Sequence, residues 1–478
     1  MTSAFGGINT ALTSLHAQRR GLDTTGQNIA NANTEGYTRQ RVDMQALPGA
    51  VGSATWAKSN GVGNGVSVHD VQRLRDEQLE SRGRAEHARS SFLVDQSRAY
   101  SAIETVFNEP NDTALQAQLH DMWGAWSDVA NTPADTASRT ALIQRSATVV
   151  DGLHGAYDKL ATQWADNRAH LAVYAEEVNV TATAVAKLND QIVQAKASGA
   201  SVNELEDQRD LRLMHLSELT GAASYRRDNG AVDAYVGGQP LVTQFNTRKI
   251  EVTGAISLPE AGADPADGMK ISWADNGMAV APGGTMGSIV DTLTVVIPKF
   301  AADLDNVAKT LADTVNAVHT TGYRPDGTTG TMFFTGAPSP DITARSIKLA
   351  VSEPGDVAAS GTTVLSEATN TMVGSRDGSV ADKLGDFGVS GTGADKAYQN
   401  MIAELGVTSQ MVGRRAEIQL NVTEQVDASR DAESGVNLDE EMTNMIKYQR
   451  GYEAASRVLT SIDEMLDVLI NRTGLVGR

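Results

Sequence analysis

Apolar side chains recur along this chain at helical spacing, and the polar residues between them mark where helices start and stop. The longest run has Ile143, Val150, Tyr157, Trp164, Leu171, Val178, Val185 and Ile192 at every seventh position. A companion row of Leu153, Leu160, Tyr174, Leu188 and Ala195 is interrupted by Ser146, Asn167 and Thr181. Two rows on a seven-residue repeat give one continuous apolar face. The pattern predicts a single helix over about 135–197, ending near Gly199. At 1.5 Å per residue it is roughly 90 Å long, far beyond a globular helix, and implies an elongated rod. Shorter periodic runs predict helices at 81–107, 112–130, 203–219, 285–320 and 394–432. Pro133 closes the second and Gly221 the third, while Pro298 should kink or split the fourth.

Both chain ends carry stripes as well. Phe5, Ile8, Leu12, Leu15, Leu22 and Ile29 are spaced 3, 4, 3, 7 and 7, with Arg19 and Gly26 in the vacant heptad positions. Met445, Tyr448, Tyr452, Ala455, Leu459, Ile462, Leu466 and Leu469 alternate gaps of 3 and 4 without a miss. Asn437, with Glu440 three residues on, makes a capping-box-like start, and Asp439, Glu440 and Glu441 suit the positive end of a helix dipole. A gapped seam is too weak to hold a lone helix in water, so each end needs a partner. The two stripes are therefore candidate assembly surfaces, pairing as a coiled coil. Core packing is the plainer explanation of any heptad stripe, and it suffices for the central helix. The first stripe runs into "NIANANTEGYTRQ" (28–40), where Asn31, Asn33 and Gly36 tolerate left-handed backbone and Tyr37 begins an extended exit. These four form a candidate hinge; an ordinary helix cap leading into a surface loop has the same local shape.

Between about 222 and 284 the period shortens. Asn229-Gly230 and Asn276-Gly277 are two-residue hairpin signals, and "KIEVTG" and "MKISW" alternate as strands do. Extended pieces also fall at 42–44 and 66–68, and 321–393 is Gly-, Thr-, Ser- and Asp-rich with little period. The expected fold is mainly α with a β insertion, elongated and multi-domain. Terminal assembly helices span 1–40 and 436–478, a long helical rod domain 41–221 and 285–435, and a small β-rich domain 222–284. The terminal helices are expected to be mostly disordered in the monomer.

The bulk numbers narrow the function. At 478 residues two to four domains are expected. A net charge of −19 disfavours nucleic acid and anionic membranes as partners. With no cysteine there is no disulfide, thiolate metal site or cysteine nucleophile. No apolar run reaches membrane-span length, and the N-terminus lacks the charge and cleavage pattern of a secretory signal. The eight histidines have no metal-site spacing. "GVGNGV" (61–66) lacks the third glycine and following helix of a dinucleotide loop, and no serine sits in a nucleophile elbow. No cofactor, metal or catalytic residue is assigned.

"NIANANTEGYTRQRV" resembles the signature that follows the N-terminal helix of bacterial flagellar axial proteins, the rod, hook and junction family. "SGVNLDEEMTNMIKYQRGYEAASRVLTSIDEMLDVLI" is similar to its C-terminal signature. The interior segments "LEDQRDLRLMHLSELTG", "DNGAVDAYVGGQPLV" and "TGYRPDGTTGTMFFTG" resemble its hook–filament junction members. Longer relatives carry a large β-rich insertion after the paired phenylalanines, here Phe333 and Phe334, where this chain has a short stretch.

The resemblance implies a structural subunit, not an enzyme, exported through the flagellar channel without a cleavable signal to an extracellular hook–filament junction. It implies four partners: copies of itself in a ring-like layer, the hook protein, the second junction protein, and a cytoplasmic export chaperone on the C-terminal helix. Alternatives are another axial protein (hook or distal rod), an elongated surface adhesin, or a cell-wall hydrolase.

Overall fold

The computed structural model describes residues 4–48, 63–263, 268–338 and 341–472. The first helix, α1, covers Ala4–Ala30, and a turn leads into the antiparallel pair β1 (Gln40–Ala46) and β2 (Val66–Arg73). Three helices follow: α2 (Glu77–Phe107), α3 (Leu115–Asn131) and α4 (Thr136–Ala197). α4 is the long helix of the heptad pattern, unbroken over 62 residues and capped by Asp135, whose carboxylate accepts the Ala137 N–H. α5 (Asn203–Thr220) ends on Gly221, which supplies the left-handed C-cap at φ 68°.

The predicted β insertion then forms two small sheets. β3 (Ala223–Arg226), β4 (Val232–Val236), β5 (Gln239–Thr243) and β6 (Asn246–Thr247) make a four-stranded meander. β7 (Ile250–Thr253), a short α6 (Leu258–Ala263), β8 (Lys270–Trp273) and β9 (Ala279–Val280) complete a three-stranded sheet. Gly230 and Gly277 take positive φ in the two hairpin turns that the sequence marked.

Two asparagines of α4 dock these sheets. Asn179 gives its amide to the Ile250 carbonyl at 3.0 Å and takes the Ile250 N–H at 2.9 Å. Asn189 does the same for Val232, at 2.8 and 3.0 Å. A primary amide thus replaces a missing neighbour strand, so exposed strand ends are satisfied against a helix. The buried side chains of both sheets are continuous with those of α4, and rod and insertion share one core.

The predicted 285–320 helix splits at Pro298 into α7 (Gly284–Asp291), a π-helical turn (Thr292–Val296) and α8 (Ile297–His319). The Ile297 N–H reaches back to Thr292 O. The Leu293 carbonyl would then look to Pro298, which has no N–H; it takes the indole N–H of buried Trp164 instead, at 2.9 Å. Two hairpins follow, β10 (Phe334–Gly336) with β11 (Ile347–Leu349) and β12 (Thr363–Ser366) with β13 (Thr371–Gly374). A short α9 (Ser379–Gly385) leads to the last two helices, α10 (Ala394–Ser434) and α11 (Leu438–Asp467). α10 runs back along α2, and α11 lies along α1.

Candidate assembly interface

The α1–α11 pair is built on small residues. On α1 the positions Gly7, Ala11, Ser14, Gln18, Gly21, Thr25 and Asn28 step by 4, 3, 4, 3, 4 and 3. A Cβ on Gly7 would lie 2.9 Å from Ile462 Cδ1, and one on Gly21 2.6 Å from the Tyr448 ring. Gly451 stands equally close to Gln18, and Ala11, Thr25 and Asn28 are buried. Helices approach this closely only where one of them lacks side-chain bulk.

The predicted N-terminal stripe lies one residue further on, on the flank of that seam. Ile8, Leu15, Leu22 and Ile29 are half-buried and Leu12 is 44% exposed; the side chain of Phe5 falls outside the described residues. The C-terminal stripe does face α1. Ile462 and Ala455 are buried, Met445, Tyr448, Leu459 and Leu466 are half-buried, and Tyr452 and Leu469 are exposed. Periodicity located a heptad on α1 but chose the leucine register; the packing register holds glycine and alanine, which hydrophobic patterning does not count. A third face of α1 meets the β1–β2 pair, where Val66 N–H reaches Thr13 Oγ1 and Ala17 and Thr24 are buried. Ala11, Ala17, Ala455 and Ile462 are buried outside the continuous rod core, so the terminal layer is a separate and small packing unit.

The candidate hinge is wired rather than loose. Asn28, 1% exposed, uses all its side-chain capacity. Its Nδ2 donates to Gln40 O at 2.8 Å and to Glu441 Oε2 at 3.0 Å. Its Oδ1 accepts from Tyr37 Oη at 2.9 Å and from Gln40 N at 3.0 Å. Burial, with Asp207, Glu204 and Glu441 nearby, pushes the Tyr37 phenol up to about 12, so it stays a donor. Arg39 binds Glu441 Oε1 at 2.9 Å and Glu440 Oε2 at 2.7 Å, while its own N–H takes the Ser434 carbonyl. Thr38 N–H goes to Asp207 on α5 at 3.1 Å. Three chain segments thus meet at one joint.

Two details correct the sequence expectation. Of Asn31, Asn33 and Gly36 only Gly36 is left-handed, at φ 77°; Asn31 instead bonds back to Gln27 O and closes the helix end. Asn437 does cap α11 through the N–H groups of Asp439 and Glu440. The reciprocal half of the capping box does not form, because the stronger charge-assisted partner Arg39 takes the Glu440 carboxylate. Asn28, Arg39 and Glu441 were not assigned to the joint from sequence. Asn28 and Glu441 stand 413 residues apart and carry no periodic signal.

Among the described residues no group of three or more His, Asp or Glu side chains could hold a metal, and no helix is long and apolar enough to cross a membrane. Three family models match in chain order. "Flagella basal body rod protein" covers residues 8–38, "Flagellar hook-associated protein FlgK helical domain" 100–334, and "Flagellar basal body rod FlgEFG protein C-terminal" 430–472. A solved flagellar hook junction protein FlgK from Burkholderia pseudomallei shares the fold with a TM-score of 0.61 at 15% identity, over 73% of this chain and 99% of that one. Flagellar hook-associated protein 1 of Escherichia coli is 24% identical over 97% of this chain and 99% of its own. The Bacillus subtilis protein of the same name is 31% identical over the full length of both chains. The chain belongs to the flagellar hook-associated protein 1 family.

Proposed function

We propose that α1 and α11 form the layer through which copies of this chain assemble with one another and with their axial neighbours. Family membership makes the chain a structural subunit of the flagellar hook–filament junction, not an enzyme. The supporting observation is the open flank of α1. Within one chain its seam closes on α11 through glycine and alanine, while the leucines and isoleucines beside it stay half-exposed. Fully burying such a side chain contributes roughly 1.5–3 kcal/mol, so covering the exposed part of each contributes about 1 kcal/mol. Copies stacked around an axis supply that cover, and the contact repeats from subunit to subunit.

In this reading the terminal helices order fully only in the ring, whose neighbours are the hook protein below and the second junction protein above. Before assembly an export chaperone shields the α11 stripe, and the chain travels through the flagellar channel without a cleavable signal. The joint at Asn28, Arg39 and Glu441 then fixes the angle between the ordered layer and the rod. Leu459→Asp tests the reading. The rod should fold as before, by circular dichroism and melting, and the subunit should be missing from purified hooks. Normal filaments on cells carrying this variant would refute it.

A further inference from the structure

Next to the joint, a cavity of about 380 Å³ opens between β2, the start of α2, the end of α4, α5 and β3. Its walls carry six cations, Arg73, Arg75, Arg84, Lys196, Arg209 and Arg226. Five carboxylates oppose them: Asp70, Glu77, Glu80, Glu206 and Asp210. Six against five leaves the wall one positive charge in excess, in a chain whose net charge is −19.

The inner carboxylates are already engaged. Glu206 holds Arg73 at 2.7 Å, Lys196 at 2.8 Å and Arg226 at 3.2 Å. Glu80 holds Arg75 at 2.7 Å and Arg430 at 3.0 Å. Asp210 holds Arg73 and Arg75. Arg84 is left over. It is 9% exposed, and its guanidinium has no hydrogen bond or ion pair among the described residues. Arg209, 1% exposed, is held by Asn189 and the Gly230 carbonyl, and its Nε lies 3.8 Å from Asp210 without a hydrogen bond, so of these cations Arg84 alone lacks a direct partner among the described residues. An arginine does not shed its proton, so a buried unpaired one costs several kcal/mol of desolvation until an anion approaches. An independent feature points the same way. α5 begins at the cavity wall with Val202 in the cap position and no side-chain cap, so, although Glu204 and Glu206 in its first turn offset part of the dipole, its free N–H groups meet the same space.

We propose that this cavity is an oxyanion site that takes a phosphate-sized tetrahedral anion, with Arg84 as its principal ligand and the α5 N-terminus as its second. The anion completes the charge balance of the wall. It also ties to α2 both α5, which carries Asp207 of the joint, and β2, whose Arg73 pairs with Asp207 at 2.7 Å. The inference is independent of the assembly role.

Inorganic phosphate is the probe. Calorimetric titration of the full chain at fixed ionic strength should give a saturable heat for one site. Arg84→Gln should weaken that affinity roughly tenfold or more, the loss of a charge-assisted contact. Arg226→Gln, on the exposed rim, should weaken it a few-fold, and serves where Arg84→Gln does not fold. No saturable heat with the wild-type chain, or an affinity unchanged in the variants that fold, would overturn the site.

Discussion

Substituting two glycines of α1 by alanine, five residues apart, separates the seam from the helix that carries it. A Cβ on Gly26 meets nothing within 4 Å, so Gly26→Ala feels helix propensity alone and should stabilise α1 by about 1 kcal/mol. Gly21→Ala gains the same propensity, but its Cβ falls 2.6 Å from Cδ1 and Cε1 of Tyr448 and 2.8 Å from Cγ. Carbon contacts settle at about 3.5–4.0 Å, so the ring must recede by roughly 1 Å. Because Cγ is the root of the ring, swinging its tip aside gives no relief, and the helices must part. Overpacking of this kind costs about 1–3 kcal/mol. The two variants should therefore differ by that amount, about 5- to 150-fold in the pairing equilibrium, although propensity ranks them equal.

The assay is a deletion strain carrying each variant, scored by the amount of subunit on purified hooks and by the fraction of cells with filaments. Gly26→Ala should match or exceed wild type, and Gly21→Ala should fall well below it. Truncating the ring in Gly21→Ala/Tyr448→Leu should recover part of the loss. Equal incorporation of the two single variants would show that α1 does not meet α11 through Gly21, and the packing register above would be wrong.

Three further outcomes follow from the same geometry. Limited proteolysis of the isolated subunit should trim both ends and leave a core of about residues 75–430; uniform resistance would contradict ordering on assembly. Glu441→Gln should loosen the joint by about 1–3 kcal/mol, because Arg39 loses its buried counter-charge; hydrogen exchange at 28–41 in assembled junctions, where the terminal helices are ordered, should then speed up, and unchanged exchange there would refute the role of Glu441. Burial holds buried His319 down at about 4; the unfolded chain protonates near 6.5, so its contribution is present above that pH and is lost as pH falls towards 4. The loss is ~3 kcal/mol in total. His319→Gln should flatten the melting temperature over that window, and a parallel curve would exclude His319 as its cause. His87, raised by hydrogen bonds to Glu218 and Asp427, acts with the opposite sign: its contribution is present below its unfolded pKa and fades as pH rises.

The rod was legible because its signal is local and redundant. Eight residues at a seven-residue interval leave one helical solution for α4, and Asp135, Gly221 and Pro298 punctuate their neighbours through backbone chemistry that needs no tertiary partner. The joint was not legible, because each of its members has a sufficient local explanation. Asn28 is a helix-end residue, Glu440 and Glu441 suit a dipole, and Arg39 is a lone surface cation; the bonds among them come from segments some 400 residues apart. The oxyanion cavity was hidden for the same reason, since Arg84 is unpaired only by virtue of what α5 and α10 do with its neighbours.

The register of α1 joins these observations. Had the leucines faced α11, the pair would have closed on itself, and burying them would have stabilised the lone subunit at the expense of the polymer. With glycine and alanine inside, α11 comes close enough for the chain to form the joint, yet little apolar area is gained. The larger side chains remain on the flank, where, in the proposed assembly, a neighbouring copy covers them. A stripe that looks like a seam in the sequence lies in the structure beside the seam, and in the proposed assembly that single residue of register turns α1 from a helix that stabilises a monomer into one that stabilises a ring.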